Sequence, residues 1–315
     1  MRLKVLLVAE GSGGHLIPAL QVAGALAKVG AQPTVWYARR RHTAPLADAL
    51  AKAGASADVD VQAIPYETSR SLLGRLWQCG QLWSRTQREF NASAPDVVVG
   101  FGGWVSAPVI LAAKQRRIRC MLHEQNVAMG RANRLLTRWV DRVAVSFRET
   151  QRALGGTPSV VTGMPVRDVI GRVSREQHAA RFGFSAQRPV VLVLGGSQGS
   201  QALNRLVCDA LDAATGEERA RWQSLHVTGA EDEGKVREAY ARWRMSAWVE
   251  PFVVDMEAAY AQADVVIARA GASTITELAR CGKPSILIPY PHAQGHQVVN
   301  ARLVESCGGG LLIEE

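Results

Sequence analysis

The residues of this 315-residue chain that could do chemistry gather at four places. At the first, Gly11, Ser12, Gly13 and Gly14 run directly into His15, whose imidazole titrates near neutral pH and can take a proton from a hydroxyl or contact a phosphate. At the second, GGSQGS sets Gly195, Gly196 and Gly199 ahead of another helical pattern. Glycine lacks the Cβ that would hold a phosphate away from backbone N–H groups, and the helix that follows aims its positive end at the same point. At the third, His123, Glu124, Gln125 and Asn126 end the apolar run RCML. Four hydrogen-bonding side chains in a row are costly to bury unless something uses them. At the fourth, Gly271 precedes Ser273, Thr274, Thr276 and Glu277 at a predicted helix start, where such groups either cap the helix or bind phosphate and ribose hydroxyls.

Other patterns point away from metal and nicotinamide chemistry. His292 and His296 are four apart, but Pro291 and Gly295 interrupt the helix that would bring them together, and no carboxylate stands at motif spacing. GSGGH is an incomplete dinucleotide fingerprint, and the next apolar run ends in Arg39, Arg40 and Arg41, where an NAD enzyme places an acid for the ribose. Those arginines suit the 2′-phosphate of NADP, a reading that leaves the second glycine turn unexplained. Cys79, Cys120, Cys208, Cys281 and Cys307 are odd in number and widely spaced, with no CxxC, which supports neither a disulfide framework nor a thiolate zinc site.

Both glycine turns follow apolar, strand-like runs, LKVLLVA and PVVLVL. Further runs of this kind alternate with helix-length segments: PTVWYA, VDVQAI, PDVVVGF, RCMLHE, DRVAVS and SVVTG, then SLHVTG, AWVEPF, ADVVIARAG, PSILIPYP and GGLLIEE. Buried runs separated by crossover helices read as parallel sheets. The fold class expected is α/β, with two Rossmann-like parallel-sheet domains, 1–163 and 164–315, facing one cleft and joined at the turn Gly163-Met164-Pro165. Each half is long enough to bury its own core. With 47% hydrophobic and 21% charged residues the composition is that of an ordinary globular chain. The first apolar run is too short for a membrane span and lacks a cleavage-type signal, so a cytosolic chain is expected. Charge is uneven: residues 1–163 carry 21 Lys and Arg against 10 Asp and Glu, net +11, and the remainder 16 against 18, net −2. A basic half fits an anionic surface as its partner.

Taken in order, GSGGHLIPAL, GFGGWVSAP, LHEQN, TGMPVR, GGSQGSQALN, ARAGASTITEL and HQVVNA resemble the MurG family over nearly the whole chain. These are N-acetylglucosaminyltransferases of peptidoglycan synthesis, and so of cell wall biogenesis, cell shape and cell division. The resemblance implies a GT-B architecture and inverting transfer of GlcNAc from UDP-GlcNAc to the polyprenyl-linked acceptor lipid I, with no metal ion and no other cofactor. It implies that Arg167, Ser197, Val253, Ala272, Ser273, Thr274, Ile275, Thr276, Glu277 and Gln297 form the UDP-GlcNAc site, with Glu277 on the ribose hydroxyls. Ser12, Gly13, Gly14 and Asn126 correspond to donor-contacting positions of the first domain. His15 is the favoured base for the acceptor hydroxyl and Glu124 the second candidate.

Three residues depart from the family pattern: Trp104 where Tyr is usual, His296 where Gln occurs, and Glu10 where a small residue precedes the first glycine. Glu10 puts negative charge where an acceptor diphosphate would bind. Family members also run on for some tens of residues past the counterpart of Glu315, so the C-terminal closing helices are expected to be missing.

Since the implied acceptor never leaves the bilayer, peripheral attachment to the cytoplasmic face of the inner membrane is expected. The segment 69–88 suits it, with Leu72, Leu73, Leu76, Trp77, Leu82 and Trp83 at mostly helical spacing and Arg70, Arg75, Arg85 and Arg88 around them. A core helix with a solvated arginine face is the competing reading of this segment. Two other functions stay open, a GT-B enzyme acting on diacylglycerol and a sugar-nucleotide-binding protein without catalysis. Nucleic acid is disfavoured, because the arginines lack interleaved stacking aromatics in any recognisable module.

Overall fold

A computed structural model describes residues 2–39, 48, 51, 58–66, 71–196, 199–291 and 295–315. The chain divides into two compact units, Met1–Val166 and Arg167–Glu315.

The first unit is built on seven strands: β1 (Lys4–Glu10), β2 (Gln32–Arg39), β3 (Asp60–Pro65), β4 (Val97–Gly100), β5 (Arg119–Glu124), β6 (Arg142–Val145) and β7 (Ser159–Val161). They form one parallel sheet in the order β3-β2-β1-β4-β5-β6-β7. Alternate residues of β1 feed opposite faces, so Leu6 and Val8 join one core and Val5, Leu7 and Ala9 the other. Helix α1 (Gly13–Lys28) covers the second face through Leu16, Ala19, Leu20 and Ala23. Helices α2 (Leu72–Ala92) and α3 (Ser106–Gln115) cover the first, and α4 (Arg131–Leu136) and α5 (Arg148–Arg152) complete the unit.

Helix α2 departs from the expected single apolar face. Its N-cap Ser71 accepts from the Gly74 N–H, and Leu82, Thr86 and Phe90 are buried on an inward stripe. Leu73, Leu76, Trp77 and Trp83 are exposed, three of them by more than 60% and Leu73 by 79%. Leu82 therefore does not belong to the outward patch. At 100° per residue it shares the core-facing side with Thr86 and Phe90. The side chain of Leu72 lies outside the described ones.

The second unit has a six-stranded parallel sheet in the order β10-β9-β8-β11-β12-β13. Its strands are β8 (Val190–Leu194), β9 (Gln223–Val227), β10 (Ala247–Glu250), β11 (Val265–Ala268), β12 (Ser285–Leu287) and β13 (Gly310–Leu312). Around it lie α6 (Arg175–Phe182), α7 (Gln201–Ala213), α8 (Gly216–Ala220), α9 (Glu233–Arg242), α10 (Met256–Gln262), α11 (Ala272–Cys281) and α12 (His296–Ser306). In each sheet the strand order reverses at one place, between β1 and β4 and between β8 and β11. Open parallel sheets bind ligands outside the carboxyl ends of the strands at such a reversal. Both glycine turns stand there, the first after β1 and the second after β8.

Candidate active site

The carboxyl edge of the first sheet brings three sequence clusters together. Ser12 is the N-cap of α1, and its Oγ lies 2.8 Å from Nδ1 of His15. The other side of the His15 ring rests on the turn after β4: a Cβ on Gly102 (φ +94°) would stand 3.0 Å from Cδ2 and 3.1 Å from Nε2. On Gly103 (φ +80°) it would fall 1.9 Å from Cγ of Glu10, so this turn accepts no larger residue without moving either group. Glu10 is buried.

After β5, the Glu124 carboxylate is satisfied by the protein itself, whereas His123 Nδ1 and Gln125 Oε1 are buried with no hydrogen-bond partner among the described residues. Glu124 Oε1 accepts from the N–H of Asn126 at 3.0 Å and from its Nδ2 at 3.3 Å. Oε2 accepts from Gly130 N–H at 3.0 Å and from Asn133 Nδ2 at 2.8 Å. Gln125 donates to the Phe101 carbonyl, and His123 stacks on the Phe101 ring with Nε2 3.4 Å from the Gly163 carbonyl. Burial pulls the His123 pKa down to about 4, so its ring is neutral at physiological pH. Asn133, the strongest partner of Glu124, was not singled out from sequence; it lies nine residues on, in the first turn of α4.

In the second unit the turn after β8 is tightly closed. A Cβ on Gly195 would come within 2.4 Å of Ser200 N, and one on Gly199 (φ +76°) within 2.4 Å of the Thr228 carbonyl. Ser197 lies outside the described residues. Ser200 caps α7, and its Oγ also takes two N–H groups from Arg269, at 3.1 Å through Nε and 2.8 Å through Nη2. Beneath the turn, Asn204 donates to the Thr228 carbonyl and to Asp232, and its Oδ1 meets Nε2 of the buried His226 at 3.1 Å. Arg269, directly after β11, and Asn204 are further groups at this edge that sequence reasoning passed over. Arg269 stands in the quoted motif ARAG, where a buried cation beside a glycine turn was the available signal.

Helix α11 opens at Gly271, and none of its hydroxyls caps it. Thr276 donates back to the Ala272 carbonyl, Ser273 Oγ is buried without a partner among the described residues, and Ile275 packs inward. Glu277 is held from one side only: Tyr260 donates its hydroxyl to Oε2 at 2.9 Å, and no described residue bonds Oε1. Burial raises the Glu277 pKa above the usual carboxylate range, opposed by the Tyr260 hydrogen bond and the charge of Arg167. Arg167 donates to the Val254 carbonyl at 2.9 Å and lies 3.5 Å from Glu257, next to the buried Val253. Gln297, in the first turn of α12, accepts from Tyr290 N–H. His296 begins that helix, and His292 lies outside the described residues. Among the described residues no group of three or more His, Cys, Asp or Glu could hold a metal ion, and all five cysteines are free.

Two doubly wound parallel-sheet units, each with a glycine turn at its strand-order reversal, are the GT-B glycosyltransferase architecture. The glycosyltransferase family 28 N-terminal domain matches residues 5–145 and its C-terminal domain residues 190–315. The chain is 37% identical to a UDP-N-acetylglucosamine--N-acetylmuramyl-(pentapeptide) pyrophosphoryl-undecaprenol N-acetylglucosamine transferase of Syntrophotalea carbinolica, covering 99% of this chain and 86% of the relative. It is 36% identical to the transferase of that name from Desulfotalea psychrophila, over 100% and 84%. Among solved structures, Acinetobacter baumannii MurG superposes with a TM-score of 0.75 at 27% identity, over 99% of this chain and 86% of that one. The chain belongs to the MurG family of glycosyltransferases.

Proposed function

We propose that this enzyme transfers GlcNAc from UDP-GlcNAc to undecaprenyl-diphosphoryl-N-acetylmuramoyl-peptide, lipid I, to give lipid II with inversion at the anomeric carbon. The observation that carries the donor half is Glu277. One carboxylate oxygen is fixed by Tyr260 and the other is left for a ribose hydroxyl, on the helix that opens at Gly271. The acceptor is that of the relatives, transferases acting on N-acetylmuramyl-(pentapeptide) pyrophosphoryl-undecaprenol. Arg167 and 272–277 then contact the donor, with Val253 and Gln297 at its rim and Ser197 in the turn. Ser12, Gly13, Gly14 and Asn126 contribute from the first unit.

In the reaction His15 Nε2 takes the proton of the acceptor hydroxyl as that oxygen bonds the anomeric carbon. The bond from that carbon to the diphosphate breaks, and its electron pair leaves with UDP. Glycine-turn N–H groups and the helix N-termini of the second unit stabilise the departing charge in place of a cation. Glu124, with two N–H groups on each oxygen, is the weaker candidate for base and holds the 126–133 segment behind His15. The chain works as a peripheral protein on the cytoplasmic face of the inner membrane, docked through the outer face of α2. No described helix is long and apolar enough to cross a membrane.

Transfer of labelled GlcNAc to lipid I, with diacylglycerol as the competing acceptor and EDTA present, tests the reading. Turnover on lipid I alone, undiminished by EDTA, is expected. Transfer to diacylglycerol would reassign the acceptor, and UDP-GlcNAc binding without turnover on either would leave a binding protein. Buried Glu10, set against Gly103, is the observation that gives the acceptor question its weight.

A further inference from the structure

Ser12 occupies the N-cap of α1 with extended backbone (φ −90°, ψ 150°), yet its hydroxyl caps no backbone N–H. The N–H groups of His15 and Leu16 both donate to the Ser12 carbonyl, at 3.1 and 2.9 Å. A serine at this position ordinarily accepts a backbone N–H through Oγ. Here Oγ has given up that bond and lies 2.8 Å from Nδ1 of His15. The Nε2 side of the ring faces the turn at Gly102. A neutral imidazole has one donor nitrogen and one acceptor, so the bond made at Nδ1 decides what Nε2 can do.

We propose that Ser12 is the positioning residue of the transfer, its Oγ accepting the Nδ1–H of His15 and thereby fixing the tautomer whose Nε2 carries the lone pair. This rests on the reading of His15 as the base. In the opposite tautomer Ser12 would donate to Nδ1, and an Nε2 that already bears hydrogen cannot remove a proton. Once Nε2 takes the acceptor's proton, both ring nitrogens are donors. The bond from Nδ1–H to Ser12 then persists through the step and becomes charge-assisted, and no proton passes between Ser12 and His15. The opposite arrangement would have to break its bond and rotate the hydroxyl during the reaction. A fixed tautomer is a small group's contribution to catalysis, made by a side chain that would otherwise have capped the helix.

The test is a long-range proton–nitrogen correlation spectrum of the full chain labelled with 15N-histidine, at alkaline pH where imidazoles are neutral. The signals missing from His15→Gln identify the ring. The unchanged protein is expected to show the Nδ1–H pattern for His15. Ser12→Ala should move it toward Nε2–H and lower kcat by roughly tenfold or more, and Ser12→Thr should restore both. An Nε2–H pattern in the unchanged protein, or an Nδ1–H pattern that persists in Ser12→Ala, overturns the proposal. Normal turnover in His15→Ala overturns it by a different route, removing the base itself. Low turnover in that variant with an unaltered tautomer in Ser12→Ala removes only the part assigned to Ser12.

Discussion

Gly102 shows how narrow the tolerance is at single residues. An alanine there meets a backbone φ of +94° that L side chains rarely adopt and a His15 ring at about 3 Å. Gly102→Ala should lower turnover by on the order of 10², the scale of a displaced base, while UDP-GlcNAc affinity should stay within a few-fold if the proposed donor contacts lie mainly in the second unit. Steady-state kinetics with calorimetry on the same sample separates the two, and near-normal kcat would show that the ring position does not matter. Glu277→Ala should do the reverse, weakening donor binding by about 1 to 3 kcal/mol, the cost of a lost hydrogen bond to a charged group. Full donor affinity in that variant removes the ribose assignment. At this scale the sequence marks candidate residues for chemistry but not their partners. In the HEQN cluster the partners of Glu124, Gln125 Nε2 and His123 Nε2, among them Phe101, Gly130, Asn133 and Gly163, come from other segments of the chain, while Gln125 Oε1 and His123 Nδ1 are buried with no partner among the described residues. Tyr260, which holds Glu277, is 17 residues away and reaches it from a different helix.

Elements were more legible than their faces. Each of the thirteen strands among the described residues coincides with an apolar run readable in the sequence, and central strands such as β1 and β8, buried on both faces, are near-continuously apolar. Helix α2 was readable as a helix, but both of its sides carry leucine, and periodicity alone does not say which leucine meets the sheet. Packing settles it: Leu82, Thr86 and Phe90 turn inward, while Leu73, Leu76, Trp77 and Trp83 face out. Exposed tryptophan on a helix that also exposes Arg88 suits the headgroup boundary of an anionic bilayer, where each cation contributes about 1 kcal/mol. Sedimentation with anionic vesicles should show binding that falls with salt and drops in a Trp77→Ser, Trp83→Ser double variant. Because both residues are exposed, this variant should keep the parent's fold, checked by its thermal transition. Equal binding by the folded variant would place the membrane contact elsewhere. A Leu82→Ser variant, by contrast, should lose stability by roughly 2 to 5 kcal/mol, since it removes a buried side chain and buries a hydroxyl.

Over the whole molecule, two units with separate cores carry separate titrations. The break in compactness falls after Val166, close to the Gly163-Met164-Pro165 turn, where a glycine at φ +76° and a proline interrupt regular structure. Each unit encloses one histidine that burial holds neutral, His123 in the first and His226 in the second, both with pKa brought down to about 4. The unfolded chain protonates these rings near pH 6.5, so between about pH 6.5 and 4 it binds protons that the folded units refuse. Stability must therefore be lost as pH falls through that window, by on the order of 1 to 3 kcal/mol per ring near its acid end. Nearby charge modifies the effect only in the second unit, where Asp232 partly favours the protonated His226. Hydrogen exchange reads the units independently, through amides of β5 beside His123 and of β9 around His226. Protection in both strands should weaken from pH 7 to pH 5 after correction for intrinsic exchange. In His226→Gln the pH dependence should shrink in β9 and persist in β5. If β9 in that variant keeps the parent's slope, His226 is not the group that couples protonation to the stability of the second unit.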